Sequence, residues 1–443
     1  MILRLPFIAF ICVVLCGNTA WSQTQIIAGW EEQVFPSYLL STSTAKRGPL
    51  QLGENELGDP WGLLGVVVTA DQDNSPIKVS IECPEFLELS EFSGTLPVGG
   101  QQYSVQPKVR YRFDRLSHCR QATPATLTFR VAQGDKPVEE ITTVVTFRSI
   151  NDCPFLWVDG EDVTLLGLNF AAYVNEQHPF VDKLLREALD IGVVDRFVGY
   201  QEGTPESVLR QVYALWDLMF WRDVRYSSIT ANSASTNLAR SQHVRLIEET
   251  VNNTQANCVD GSVLFASMLR KIGIHSALIL VPGHCYVGFW VDENKEHFLG
   301  LETTLVDSTE KHCKTPKLLS KSVPKDLRGD VSWPSFVDAV VIGTSNLEKG
   351  QAIEPSDPLQ FTVIDIAQAR AEGILPIPYS GNGEYLAINI SDYDEEEWES
   401  DEEAYEEEEE YEGESDEDES DEEEYEEEWE EESEEDWESE EDD

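Results

Sequence analysis

Residues 258–273 read Cys258-Val259-Asp260-Gly261-Ser262-Val263-Leu264-Phe265-Ala266-Ser267-Met268-Leu269-Arg270-Lys271-Ile272-Gly273. Leu264, Met268 and Ile272 recur at intervals of four and Gly273 supplies a stop, so the segment predicts a helix with Cys258 at its N-terminal edge. Unpaired N–H groups and the positive end of the helix dipole stabilise a thiolate there, and the same N–H groups can receive a developing oxyanion. A free cysteine is also an ordinary small buried hydrophobe, so position alone does not make a nucleophile. Asp260, just inside the helix start, complements the dipole as a surface acid or takes part in the site.

Downstream, Ser276 to Val281 predicts a strand, Pro282-Gly283 a turn, His284 to Val291 a second strand, and His297 to Val306 a third after a reversal at Asp292-Glu293-Asn294-Lys295. A reversal centred on Glu293 sets Glu302 opposite His284. A centre one residue later sets it opposite Tyr286, diagonal to His284 and on the same face. His284, Tyr286, Gly288 and Trp290 share that face, while Cys285, Val287 and Phe289 point into the core. A nucleophile at a helix start, a histidine on the following strand and a carboxylate on the next supply the three roles of acyl-transfer catalysis.

Upstream, the apolar period is helical from Asn175. Pro179 opens a helix carrying Phe180, Leu184, Leu185, Ala188 and Leu189 that ends at Gly192, and Thr204-Pro205-Glu206 opens a second with Val208, Val212, Leu215, Trp216 and Met219. A third, shorter helix is expected near Ser241 with Val244, Leu246, Ile247 and Val251, before a polar loop over 252–257.

Gln242-His243-Val244-Arg245, Asn257-Cys258-Val259-Asp260-Gly261-Ser262, Pro282-Gly283-His284 and Leu301-Glu302-Thr303-Thr304 together resemble the transglutaminase-like branch of the papain-like cysteine enzymes, over about a third of the chain. The resemblance implies a Cys258–His284–Glu302 triad on a helix-plus-antiparallel-sheet core, acting through a thioester acyl-enzyme formed from an amide or peptide bond. Glu302 stands where the wider superfamily most often has Asp, and Cys285-Tyr286 follows the histidine where a small residue and an aromatic are commoner. Gln242 and Arg245 fall on a recurring motif of the branch. Either is a candidate for lining the site, Gln242 as an oxyanion donor and Arg245 equally as a salt bridge that props the core.

Residues 23–155 carry short alternating or β-branched runs, at 65–69, 77–81, 126–131 and 142–147, separated by Gly, Pro, Asn and Asp, which predicts an antiparallel β-sandwich. Residues 1–22 place Arg4, an apolar run and Ala20-Trp21-Ser22 in the order of a signal peptide, so a secreted or periplasmic protein is expected. A lipoprotein site at Cys16 is disfavoured by Leu15. No later apolar run approaches the about 20 residues that span a bilayer. Six cysteines remain after the leader, Cys83, Cys119, Cys153, Cys258, Cys285 and Cys313, and pairing of Cys83 with Cys119 or Cys153 is open in an oxidising compartment.

The formal charge is −53, yet residues 391–443 alone hold 38 Asp or Glu and no Lys or Arg. Residues 383–443 are therefore expected to form a disordered acidic tail, with Trp398, Tyr405, Tyr411, Tyr425, Trp429 and Trp437 spread through it. Weak multivalent calcium binding by its carboxylates is the only metal role open to it. The triad needs no metal and no cofactor, and no HExxH or paired CxxC motif occurs. A surface this acidic disfavours nucleic acid.

The expected architecture is α+β: the sandwich, a helical segment and transglutaminase-like core over 156–382, and the tail. The expected function is a cysteine peptidase, amidase or acyltransferase acting on a peptide or protein substrate. The alternative is a catalytically inactive transglutaminase-like module that engages cell-surface or matrix partners.

Overall fold

Alternation in the first 150 residues is realised as two sheets. In Ser75–Cys83, Ile77, Val79 and Ile81 are buried while Lys78 points to solvent, the period of a half-buried strand. A computed structural model describes residues 24–46, 52–160, 162–228, 238–309, 312–353, 358–381 and 383–388. In it Gln25–Ala28, Leu64–Thr69, Gln102–Gln106 and Glu56–Gly58 form one sheet. Gln33–Val34, Glu139–Phe147, Thr123–Gln133, Ser75–Cys83, Leu87–Leu96 and Arg110–Tyr111 form the other, each in that order. Val66, Val68, Tyr103 and Val105 of the first meet Ile77, Val79, Phe129 and Val145 of the second in one apolar cluster.

The chain leaves these sheets through Asp152–Asp159, which pairs antiparallel with Asp162–Leu165 on one side and Ala239–His243 on the other. That second pairing corrects the expectation of a helix near Ser241. Residues 239–243 are taken up as a strand by their backbone partners, and the helix is confined to Ile247–Asn253. Pro179–Ile191 and Pro205–Trp221 are helical as their periodicity requires. Gly192 closes the first at φ 92°, and the Thr204 hydroxyl caps the second by accepting from Ser207 N at 3.2 Å.

A four-stranded antiparallel sheet, ordered Phe298–Leu301, His284–Trp290, Ser276–Val281 and Thr362–Asp365, carries the C-terminal half. Cys258–Lys271 packs on it with Val259, Val263 and Ala266 against Cys285 and Leu278, and with Leu264 and Met268 in the cluster that holds Val287 and Phe289. The long helix Ser332–Gln351 lies along the outer strand Phe298–Leu301. Their backbones touch at two glycines: a Cβ on Gly300 would stand 2.2 Å from the Gly343 carbonyl oxygen. The molecule is thus mixed α+β with several antiparallel sheets.

Cys83, Cys119, Cys153, Cys258, Cys285 and Cys313 are all free thiols, so the pairing of Cys83 with Cys119 or Cys153 is not formed. Cys119 Sγ instead donates to the Arg148 and Gln121 carbonyls, at 3.3 and 3.4 Å. Among the described residues no helix is long and apolar enough to cross a membrane. The leader over 1–22 and the acids of 391–443, with their calcium role, lie outside the described residues. Residues 383–388, grouped with the tail by composition, pack on the core: Tyr385 meets Phe180 edge-on, and the Leu386 carbonyl accepts from Arg222.

Candidate active site

Asn257 sets the start of the cysteine helix. Its Oδ1 accepts from the amides of Val259 and Asp260, both at 2.9 Å, and the Asp260 carboxylate returns a bond from Asn257 N at 3.0 Å, a reciprocal capping box. Those amides are therefore occupied. Among the described residues the Cys258 N–H alone of the first three has no acceptor, which makes it the helix-start donor open to an oxyanion. Cys258 itself is half-buried.

Asp260 is fully buried, and Arg245 holds it twice: its amide donates to Oδ1 and its guanidinium to Oδ2, each at 2.7 Å. Burial pushes the Asp260 carboxyl up, against the bonds from Asn257 and Arg245 that pull it down. Arg245 thus braces the first turn on which Cys258 sits. Gln242, in register with Cys153, directs its amide Nε2 to the His243 carbonyl at 3.0 Å.

His284 opens its strand after the Pro282-Gly283 turn, where Gly283 takes φ 71° and Val281 pairs with His284. Its Nε2 donates to Glu302 Oε2 at 2.7 Å, leaving Nδ1 for a second partner. Interaction with Cys258 first, and with Glu302 next, raises the His284 pKa from 6.5 to about 10, against the opposing effect of burial. The imidazole is accordingly held protonated beside the sulfur at neutral pH. Glu302 is 5% exposed, and its Oε1 accepts from Thr304 N at 3.2 Å and Thr304 Oγ1 at 2.8 Å, so both carboxylate oxygens are fixed.

The hairpin closes on Asn294 rather than Glu293. Asp292 accepts from Glu296 N at 2.9 Å and His297 N at 2.7 Å, and Val291 N bonds the His297 carbonyl, which advances the register by one residue per strand. Val287 pairs with Leu301, so Glu302 follows opposite the Tyr286 position and reaches His284 along the diagonal. The strand is also shorter than its sequence suggests. It ends at Leu301, and Glu302 caps the 3-10 turn Thr303–Leu305.

Three further residues hold these parts together. Buried Ser262 donates to the Cys258 carbonyl at 2.6 Å, and its oxygen lies 3.3 Å from the Cys285 carbonyl and 3.4 Å from Thr303 Oγ1, touching the elements that carry Cys258, His284 and Glu302. Gly343 lets the long helix approach so closely that the Ala339 carbonyl accepts from Glu302 N at 2.9 Å. Tyr226 stands beside the site: Arg225–Tyr226 runs parallel to Gln255–Ala256, and Tyr226 N donates to Asp307 at 3.2 Å. Burial and then the charges of Cys258 and Glu302 raise its phenol. Ser262 lies within the cysteine motif, but its spacing resembles that of any buried helical serine. Gly343 and Tyr226 carry no sequence signal for a site.

No known protein family, curated protein or solved structure matches the chain.

Proposed function

We propose that the protein is an exported cysteine enzyme of transglutaminase-like type that cleaves or transfers an acyl group at a peptide or amide bond. The observation that carries this reading is the 2.7 Å hydrogen bond from His284 Nε2 to the buried Glu302 carboxylate, with Cys258 near enough to the same ring to be the leading cause of its raised pKa. The Cys258 thiolate attacks the amide carbon, a C–S bond forms, and charge gathers on the carbonyl oxygen near the Cys258 N–H. His284, already protonated, passes its Nδ1 proton to the amide nitrogen as the C–N bond breaks. Water or an amine then attacks the thioester, His284 removes its proton, and sulfur leaves as thiolate. Glu302 keeps the ring oriented.

Alkylation by iodoacetamide at neutral pH tests the assignment. Cys258 is expected to react faster than Cys313, the other described cysteine that is not buried, and Cys258→Ala to remove the fast phase. Faster labelling of Cys313 in the folded protein overturns it.

A further inference from the structure

Between Glu302 and the long helix the chain changes character. Residues 311–328 hold Lys311, Lys314, Lys317, Lys321, Lys325 and Arg328 against a single acid, Asp326, in a protein whose formal charge is −53. Lys314, Lys317, Lys321 and Lys325 are exposed. Among the described residues none of the four meets a carboxylate, whereas Lys78, Lys136, Lys271 and Lys295 each do.

The backbone beneath them is held firmly. Lys317 and Lys321 lie one turn apart on the helix Lys317–Ser322, so they share a face, while Leu319 and Ser322 are buried behind it. Arg210 donates to the Ser322 carbonyl at 2.8 Å. Arg328 donates to the carbonyls of Ser320 and Val323 at 2.7 Å and lies over Trp333 at 4.5 Å. At the start of the basic stretch, His312 N and Cys313 N both donate to Asp338 at 2.9 Å, one residue before the Ala339 that receives the Glu302 amide. The start of the basic stretch is thus tied to the same long helix that receives the Glu302 amide. Leu318, 36% exposed, lies among them.

We propose that Lys314, Lys317, Lys321 and Lys325, with Leu318, form a docking face for an acidic segment of a partner polypeptide. Four like charges presented together without counter-charges repel one another, and a run of carboxylates relieves that repulsion on binding. The basic surface is short and the rest of the chain is acidic, so an extended phosphate lattice or anionic bilayer meets like charge beyond it. A peptide needs only this much surface, and an aromatic or aliphatic side chain beside its acids can cover Leu318.

Fluorescence anisotropy of a labelled, short Glu-rich peptide carrying one Tyr, titrated with the full chain, tests the proposal. Lys317→Glu/Lys321→Glu is expected to raise Kd by about tenfold or more, and added salt to weaken the parent's binding. Lys78→Glu/Lys136→Glu changes net charge equally elsewhere and is expected to leave Kd within about twofold of the parent's. Lys317→Gln/Lys321→Gln, which removes charge without adding any, is expected to fall between, and it decides the matter if melting shows the reversal variant to be unfolded. An unchanged Kd in the folded lysine variants, no binding by the parent even at low salt, or tighter binding of a DNA duplex of equal charge overturns it. The readout is binding alone, so this result and the outcome of thiol labelling are independent.

Discussion

His284 is the residue on which charge and geometry meet. Its folded pKa, about 10, lies above the ordinary imidazole value, so the folded state keeps a proton that the unfolded chain gives up sooner. The stabilisation is fully present below about pH 6.5 and is lost as pH rises through about 10. The melting-temperature advantage of the parent over His284→Gln is therefore expected to be constant in mild acid and to shrink across that window, which a thermal series in matched buffers measures. Glu302→Gln keeps a group of the same shape but removes the charge that orients the ring. It is expected to fold normally and to slow turnover of any amide substrate by about a hundredfold or more. Parental activity in that variant contradicts the triad. The glutamate itself is legible from alternation, because either hairpin centre keeps it on the face of His284. Which centre is used is not, since it depends on the Asp292 carboxylate closing on two amides of its own loop.

At the scale of elements, the cysteine helix and the glutamate strand are each held by contacts that sequence periodicity does not reveal. Arg245 to Asp260 joins a residue just beyond a strand to the first turn of the cysteine helix, with Asp260 fully buried and the Arg245 side chain 13% exposed. Arg245→Met strands that carboxylate and is expected to cost about 3–5 kcal/mol, read by denaturant unfolding, with Asp260→Asn in the same chain restoring part of it. Gly343 is the counterpart on the other side. A Cβ there would lie 2.7 Å from Leu301 N and 2.9 Å from Glu302 N. Gly343→Ala is expected to cost about 1–3 kcal/mol and to lower turnover by moving Glu302, while Gly350→Ala, whose Cβ would meet the Phe361 ring first, lowers stability without a selective loss of activity. The long helix is hidden in the sequence because Pro334, Gly343 and Gly350 break its pattern. The strand Ala239–His243 reads as helix because Val244, Leu246, Ile247 and Val251 recur at helical spacing. Only its partner, Asp152–Asp159, some ninety positions earlier, makes it a strand. Helices with local caps, Pro179–Ile191 and Pro205–Trp221, are legible for the opposite reason: Pro, Thr and Gly punctuate them directly.

Across the whole described molecule, the sheets near the N-terminus and the C-terminal half are joined by polar contacts distant in sequence. Ser37 donates to the Asp152 carbonyl at 2.5 Å, Lys46 N to the Glu372 carbonyl at 2.8 Å, and Arg120 to Glu248 at 3.1 Å, while the same glutamate accepts from His178 Nε2 at 3.0 Å. Residues 374–381 run over this junction, and residues 383–388 finish on the helices. The Ser380 hydroxyl donates to the Ser117 carbonyl at 3.0 Å, and Tyr385 lies edge-on to Phe180 with Lys183 4.8 Å above its ring. Arg222 gives this ending its energetic weight. Its side chain is 2% exposed, and it donates to Glu187 at 2.6 Å, the Val251 carbonyl at 3.2 Å, Tyr385 Oη at 3.2 Å and the Leu386 carbonyl at 2.8 Å.

Composition alone places a boundary near Gly383, because acids dominate the chain beyond it, but Arg222 draws two of its acceptors from past that point. Ending the chain at Gly381 removes both acceptors from a buried guanidinium and uncovers Phe180, at an expected cost of about 2–4 kcal/mol relative to a chain ending at Ile388. Tyr385→Phe keeps the ring and loses only the hydroxyl, so it is expected to cost about 0.5–1.5 kcal/mol. Urea unfolding of the three chains orders them directly. Equal midpoints for the chains ending at 381 and 388 would show that Arg222 is satisfied without its last two partners, and that the packed fold ends where the acids begin.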